Sequence, residues 1–176
     1  MLNENKKPSV EYWNNTAKSW KDDAYSPDGN LTVFPSSEVR NKVVIKELIN
    51  LGQQDAKILD IGCADGKLIR DMLHAGFTCV KGVDNSEKMI TEAKKLLKED
   101  FPDLNPDDIF SVGDADDLFV NEKFDHVTAI GLIEYVKDIN DFFSTLYNLL
   151  NDEGIAFIES RNKLFNLISA NDYTSN

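Results

Sequence analysis

The sequence predicts an α/β fold with a doubly wound, mostly parallel sheet of at least five strands and helices on both faces. From residue 56 onward, short segments rich in Val and Ile alternate with longer segments whose apolar residues recur at helical spacing. Turn-forming Gly, Pro, Asn and Asp residues separate these segments. Such alternation favours parallel strands joined by right-handed crossovers, which place helices on both faces of the sheet.

The N-terminal region, residues 1–52, is predicted to be a helical cap, ahead of a core domain over residues 53–176. A first helix is indicated by aromatic and small residues at helical spacing: Tyr12, Trp13, Thr16, Ala17 and Trp20. A second helix is expected over residues 36–52, with Ser36 or Ser37 as its N-cap and Gly52 after its last turn. Its apolar stripe is predicted to consist of Val39, Val43, Val44 and Leu48.

The core elements follow in alternating order. Strands are predicted within residues 56–62, 78–84, 108–114, 124–136 and 154–160. Helices are predicted over residues 65–76, 86–100 and 139–152. Ser86 is the expected N-cap of the second of these helices, whose inward face would carry Met89, Ala93, Leu96 and Leu97.

Charge and cysteine usage exclude several function classes. The formal net charge of -12 argues against a nucleic-acid partner and against docking on an anionic membrane surface. The two cysteines, Cys63 and Cys79, do not form a CxxC pair, and His74 and His126 lack ligand spacing, so no metal site is expected. A polar N-terminal stretch and the lack of a long apolar run predict a cytoplasmic protein.

Polar residues follow the predicted strands where a sheet does not need them for stability. Asp60 ends the first strand, Asp84 the second and Asp114 the third, and a loop containing Gly62 and Gly66 follows the first. Ligands of open α/β sheets bind beyond the carboxyl ends of the strands. The sequence therefore predicts an acidic ligand site at this edge.

Two phosphate-binding interpretations fit these residues poorly. A dinucleotide fingerprint would need three glycines, but Ala64 and Lys67 occupy two of the three positions. Asp60 and Asp65 would also lie beside the phosphates, which is electrostatically unfavourable. A Walker A loop would need Ser or Thr where Leu68 stands.

S-adenosylmethionine fits the acidic edge better, because it carries a sulfonium and an ammonium and has no phosphate. An ionised carboxylate has two acceptor oxygens and can bind both hydroxyls of a ribose. Asp84 lies 24 residues after Asp60, close to the interval of ~20 residues expected of a ribose-binding acid. Asp114 would accept a hydrogen bond from the adenine amino group.

These motifs together resemble the class I S-adenosylmethionine-dependent methyltransferases. The matching segments are "LDIGCADGKL", "GVDNSEKMI", "GDADDL", "FDHVTAIGLIEYV" and "LLNDEGIAFIES", within a resemblance covering roughly residues 10 to 170. The resemblance implies a Rossmann-like methyltransferase fold and a cofactor-binding set made of Asp60, Gly62, Cys63, Gly66, Asp84, Asn85, Ser86, Asp114, Ala115, Ile130 and Arg40.

The roles implied for this set differ. Gly62 and Gly66 would leave room for the methionine part, and Asp60 would orient the loop or reach the ammonium. Asn85 or Ser86 would lie near the adenine, whose edge would also meet the backbone N–H of Ala115. Ile130 would pack against the cofactor, and Arg40 would bind its carboxylate. Cys63 would be a small buried side chain of the loop.

The implied activity is methyl transfer to a small-molecule acceptor, such as a sugar or another metabolite, by in-line displacement. No catalytic residue is assigned, but Glu134 and Tyr135 are candidates, and Tyr135 stands where many relatives carry His. The family core usually continues into further strands beyond the five predicted here. That difference keeps open a non-catalytic S-adenosylmethionine-binding domain and predicts a possible homodimer through an unpaired sheet edge.

Overall fold

The computed structural model describes residues 10–18 and 36–160. The helices are α1 Val10–Thr16, α2 Ser36–Leu51, α3 Lys67–His74, α4 Glu87–Asp100, α5 Ala115–Leu118 and α6 Ile139–Leu149. The strands are β1 Ile58–Ile61, β2 Val80–Asp84, β3 Phe110–Val112, β4 Phe124–Ala129 and β5 Leu150–Ile158. Short 3-10 helices span Pro106–Asp108 and Ile133–Tyr135. The predictions made for Trp20, for the Ser36 and Ser37 side chains and for residues 161–176 lie outside this description.

The five strands form one parallel sheet in the order β3-β2-β1-β4-β5. The chain moves outward from β1 to β3 and then returns to the other side of β1 with β4, so the strand order reverses between β1 and β4. This arrangement confirms the predicted doubly wound sheet. Its carboxyl edge is the edge at which ligands of such folds bind.

Two apolar clusters cover the two faces of the sheet, as alternate residues of each strand point to opposite sides. Ile58 belongs to a cluster with residues of α2, α3 and α4, whereas its neighbour Leu59 belongs to a cluster with residues of α5 and α6. The inward face predicted for α4 is confirmed, because Met89, Ala93, Leu96 and Leu97 are all buried. Ser86 caps α4 by accepting a hydrogen bond from the Met89 N–H.

The apolar stripe predicted for α2 is half wrong. Val44 and Leu48 are buried, but Val39 and Val43 are 55% and 54% exposed. At about 100° per residue, Val39 lies about 180° around the helix from Leu48. Only one side of α2 can face the sheet, and Leu48 lies at the centre of that side.

The boundary between α6 and β5 differs from the prediction. The helix ends at Leu149 and the strand begins at Leu150, whereas the helix was predicted through residue 152 and the strand from residue 154. Phe124 pairs with Leu150 and His126 pairs with Ile155, so residues 151–154 form an irregularity in which β5 carries extra residues. A side chain on Gly154 would lie 3.1 Å from the backbone oxygen of Asp125, which is why this irregularity needs glycine.

The described helices also bear on the membrane prediction. Within residues 10–18 and 36–160, none combines the length and the apolar character that a membrane span requires. The cytoplasmic location and the lack of membrane docking stay predictions.

Candidate functional site

The ends of β1, β2 and β3 bring the three predicted acids to one edge of the sheet. Asp60 lies within β1, Asp84 ends β2, and Asp114 precedes the short helix α5. The Asn85 side chain joins two of these strand ends, since its Nδ2 donates to Asp114 Oδ1 at 2.7 Å. Asn85 and Asp114 are both exposed, so this pair borders the edge on the β3 side.

The loop after β1 turns sharply through three residues with positive φ. The φ angles are 74° at Gly62, 47° at Ala64 and 70° at Gly66, and Ala64 is the one non-glycine residue with positive φ in the described chain. The N–H groups of Gly62 and Cys63 both donate to the backbone oxygen of Val83, at 2.8 and 3.1 Å. These bonds hold the loop against β2 and lead the chain into α3.

Packing within the protein already uses the space beside the two loop glycines. A side chain on Gly66 would lie 2.5 Å from Phe110 Cζ, and one on Gly62 would lie 3.0 Å from Leu132 Cδ1. Room for a ligand therefore stays a prediction for both residues. Cys63 is buried with its sulfur against Gly82, and burial raises the pKa of its thiol well above the usual value.

Asp60 is 3% exposed and is held by one side chain from β4. Thr128 Oγ1 donates to Asp60 Oδ1 at 2.7 Å. Burial raises the pKa of Asp60 to about 7, the Thr128 hydrogen bond opposes this rise, and the Asp84 charge adds to it. The sequence reasoning missed Thr128, because only the register of β1 against β4 places it opposite Asp60.

Asp84 anchors both the glycine loop and the start of α4. Its Oδ2 accepts the Ala64 N–H at 3.0 Å, and its Oδ1 accepts the Ser86 N–H at 2.8 Å. Burial raises the pKa of Asp84, and the two backbone hydrogen bonds oppose the rise. Each carboxylate oxygen retains acceptor capacity for a further donor, so a structural role and ribose binding are compatible.

Asp65 is a fourth acid of this edge that the predicted set did not include. It is 1% exposed, and its Oδ1 accepts the Lys67 N–H at 3.2 Å at the start of α3. Its Oδ2 is buried without a hydrogen-bond partner in the described part of the chain. Burial raises the pKa of Asp65, and the charge of Arg70 is the largest opposing influence.

On the other side of the edge, Arg40 pairs with a residue that follows β5. Its Nη1 lies 2.7 Å from Glu159 Oε2, and both side chains are half-buried. The same Nη1 lies 3.3 Å from the position that a side chain on Gly131 would take, so Arg40 reaches the loop after β4. Ile130 precedes this loop and is half-buried against the α2–α3–α4 cluster.

Helix α1 lies across the carboxyl edge. Asn14 Oδ1 accepts hydrogen bonds from Ser86 Oγ at 2.7 Å and from the Lys88 N–H at 3.2 Å, at the start of α4. One residue earlier, the Trp13 ring meets the Tyr135 ring edge-on with centroids 5.4 Å apart. The helix thus contacts the segments that follow β2 and β4, which flank β1. Asn14 was not predicted, since its partners are more than 70 residues away in sequence.

Tyr135 and its neighbour Glu134 are half-buried in the 3-10 helix Ile133–Tyr135 after β4.

No group of three side chains suited to a metal ion occurs in the described residues. A shallow groove of about 510 Å³ lies between α2 and α3 and includes none of the predicted site residues; it is lined by Lys42, Ile45, Lys46, Ile49, Asn50, Lys67 and Asp71. With Asp60, Asp65, Asp84 and Asp114 beside it, the carboxyl edge is an acidic site suited to a cationic ligand.

Comparison with curated proteins gives relatives that are similar in sequence over most of this chain. The ubiquinone biosynthesis O-methyltransferase of Pelagibacter ubique is 28% identical over 167 residues, which cover 92% of this chain and 68% of that protein. The Bartonella quintana enzyme of the same name is 29% identical, with coverage of 88% and 60%. The chain thus spans about two thirds of the length of these relatives.

A solved structure and a family model extend the comparison. Magnesium protoporphyrin IX methyltransferase from Synechocystis PCC 6803, solved with bound S-adenosylmethionine, superposes with a TM-score of 0.65 at 21% identity and covers 82% of this chain and 72% of its own. The family model described as a methyltransferase domain matches residues 59–156, from β1 to β5. Since this match covers more than half of the sequence, the chain belongs to the methyltransferase-domain family.

Proposed function

We propose that this protein transfers the methyl group of S-adenosylmethionine to a hydroxyl of a small-molecule acceptor. The observation that carries the proposal is the acidic edge, where Asp60, Asp84 and Asp114 lie at or near the carboxyl ends of three neighbouring strands around a tight loop. Acidic groups at this edge attract a cationic cofactor and repel a phosphate. Membership of the methyltransferase-domain family and the names of the relatives support the same activity.

In this proposal the cofactor lies along the carboxyl edge between α1 and the sheet. Asp84 binds the ribose hydroxyls, while Asp114 and the Ala115 N–H meet the adenine with Asn85 beside them. Asp60 attracts the ammonium from below the loop. The carboxylate of the cofactor binds Arg40. It therefore competes with Glu159, which pairs with that guanidinium in the structure.

The protein itself forms no covalent bond to the substrates in this proposed reaction. The cofactor supplies an electrophilic methyl group, and the sulfur keeps the electron pair of the broken C–S bond while the acceptor oxygen forms the new C–O bond. The acceptor hydroxyl loses its proton, so a base near the methyl group accelerates the step. Glu134 and Tyr135 are the candidates for this wall of the site, and a sugar as the acceptor stays a prediction.

Calorimetric titration with S-adenosylmethionine, S-adenosylhomocysteine and NAD tests the cofactor. We expect binding of both sulfur cofactors and none of NAD, and the reverse pattern would overturn the proposal. A radiolabelled methyl-transfer screen over phenols, sugars and other hydroxylated metabolites then tests the reaction. Cofactor binding without transfer to any acceptor would favour the alternative of a non-catalytic binding domain.

A homodimer is a further proposal, because β5 is an edge strand of the described sheet. Two chains that pair along β5 would extend the sheet across the interface. Sedimentation equilibrium tests this directly. A concentration-independent monomer mass would contradict it.

A further inference from the structure

We propose that Thr128 is a positioning residue for the cofactor: its hydroxyl holds the Asp60 carboxylate ionised and oriented beneath the glycine loop. This inference rests on the proposed function. It concerns the penultimate residue of β4, which is completely buried and lies just below the carboxyl edge.

The register of the sheet places Asp60 and Thr128 in one continuous row of paired residues. From β3 to β5 the row consists of Phe110, Gly82, Asp60, Thr128 and Phe157. Paired residues of parallel strands point to the same face, so the row has phenyl rings at both ends and a polar pair at its centre. Nothing in sheet stability requires a carboxylate and a hydroxyl at these two central positions.

The Thr128 hydroxyl has a defined donor role. It lies 2.7 Å from Asp60 Oδ1, and its longer contact of 3.5 Å to the Leu59 backbone oxygen is the alternative acceptor. No other hydrogen bond to the Asp60 carboxylate is found among the described residues. The hydroxyl therefore provides the main local stabilisation of a negative charge at Asp60.

Among the titratable groups around Asp60, Asp84 disfavours its negative charge, whereas the neutral Cys63 thiol and His126, whose pKa burial lowers, supply no positive charge near pH 7. Asp84 faces it from β2 and raises the pKa of Asp60. The Cys63 thiol faces it from the loop, and it also senses the charges of Asp84 and Asp65. Since burial acts in the same direction, loss of the Thr128 hydroxyl should leave Asp60 protonated over most of the neutral range.

Ionisation of Asp60 matters for the ligand because a carboxylate attracts an ammonium and a carboxylic acid does so far less. Cofactor affinity should rise with pH as Asp60 ionises. Without the Thr128 hydroxyl the rise should move upward by about one pH unit, the scale of a lost charge-assisted hydrogen bond. The cofactor's own amino group titrates identically against every variant, so differences between variants isolate Asp60.

Calorimetric affinities for S-adenosylhomocysteine from about pH 6 to about pH 8.5 test this, with Thr128→Val as the variant and Thr128→Ser as the matched control. For Thr128→Val we expect about tenfold weaker binding than wild type near pH 6, shrinking to less than about twofold near pH 8.5. Thr128→Ser keeps the donor and should follow the wild-type curve. Asp60→Asn should bind weakly with no such rise.

A uniform loss of affinity at every pH, shared by the Val and Ser variants, would indicate a merely structural role and overturn the inference. Identical curves for Thr128→Val and wild type would also overturn it. Circular dichroism checks folding, and Thr128→Ala replaces the Val variant if that variant does not fold. Failure of the wild type to bind any sulfur cofactor would instead overturn the proposed function.

Discussion

Asp60 and His126 are both buried titratable residues of the neighbouring inner strands β1 and β4, yet their surroundings differ. Asp60 is 3% exposed and accepts a hydrogen bond from Thr128. His126 is 4% exposed, precedes Thr128 by two positions on the same face of β4, and has no hydrogen-bond partner for either ring nitrogen in the described part of the chain. Its neighbour is the Phe157 ring, which it meets edge-on with centroids 6.1 Å apart.

The comparison shows that a hydrogen bond compensates the burial of Asp60 near the carboxyl edge, whereas no hydrogen bond compensates the burial of His126 deeper in the sheet. As a result, the two residues make the stability of the protein depend on pH in opposite directions. The folded-state pKa of Asp60 lies above its unfolded value, so its contribution is present near pH 4 and is lost as the pH rises to about 7. Burial lowers the pKa of His126 below 6.5, so stability is lost as the pH falls below about 6.5.

The largest expected effect concerns Asp60 and the pH dependence of unfolding. In Asp60→Asn the free energy of unfolding should no longer fall by about 4 kcal/mol between about pH 4 and pH 7, the share that one group with this pKa contributes. Urea denaturation at a series of pH values measures the difference from wild type. Asp103→Asn, an exposed acid outside the site, is the control, and equal slopes for both variants would refute the assignment.

The next effect tests whether Asp84, another acid of the carboxyl edge, binds a ligand. Asp84→Ala removes the acceptor for two backbone N–H groups and the proposed ribose contact. We expect cofactor affinity to fall by about 1–3 kcal/mol, the range for lost charge-assisted hydrogen bonds, together with a lower Tm. Calorimetry and thermal unfolding measure both, with Asp103→Ala as the control. A lower Tm with unchanged affinity would leave Asp84 a purely structural residue.

A smaller effect, here an increase in stability, is expected when His126 is replaced. Replacement by Leu removes an imidazole whose two nitrogens lack partners, and should raise the free energy of unfolding by about 1–2 kcal/mol near pH 7. The gain should increase as the pH falls below about 6.5, because the variant has no group there to protonate. Denaturant titrations at about pH 5 and pH 7 measure it, with the exposed His74→Gln as the control. A loss of stability at both values would mean that the ring packs better than its polar cost suggests.

The smallest effect concerns backbone strain in the glycine loop. Ala64→Gly should change the free energy of unfolding by between about 0 and 1 kcal/mol in the stabilising direction, since relief of the positive φ outweighs the extra entropy of glycine when unfolded. Ala75→Gly is the matched control, because Ala75 has φ -79° and gains nothing from glycine. Differential scanning calorimetry compares the two. Equal destabilisation of both would show that Ala64 is unstrained.

Much of the fold could be predicted because its signals are local. The Val- and Ile-rich segments give the strands, and the helical spacing of Met89, Ala93 and Leu97 gives the buried face of α4. The exposed side of α2 could not be predicted, since Val39 and Val44 are equally apolar and only the position of the sheet distinguishes them. The start of β5 was missed because residues 151–154 have the composition of a turn but extend an irregular strand.

The sequence by itself determined which acids end the strands, and with them an acidic edge suited to a cationic cofactor. These residues are adjacent to strand boundaries in the chain, so their common edge follows from parallel topology alone. Only the tertiary structure decided which groups act on them. Thr128 meets Asp60 through strand register, and Asn14 meets Ser86 through the docking of α1. Such contacts join residues about 70 positions apart, and their partners are set by packing, which no local pattern encodes.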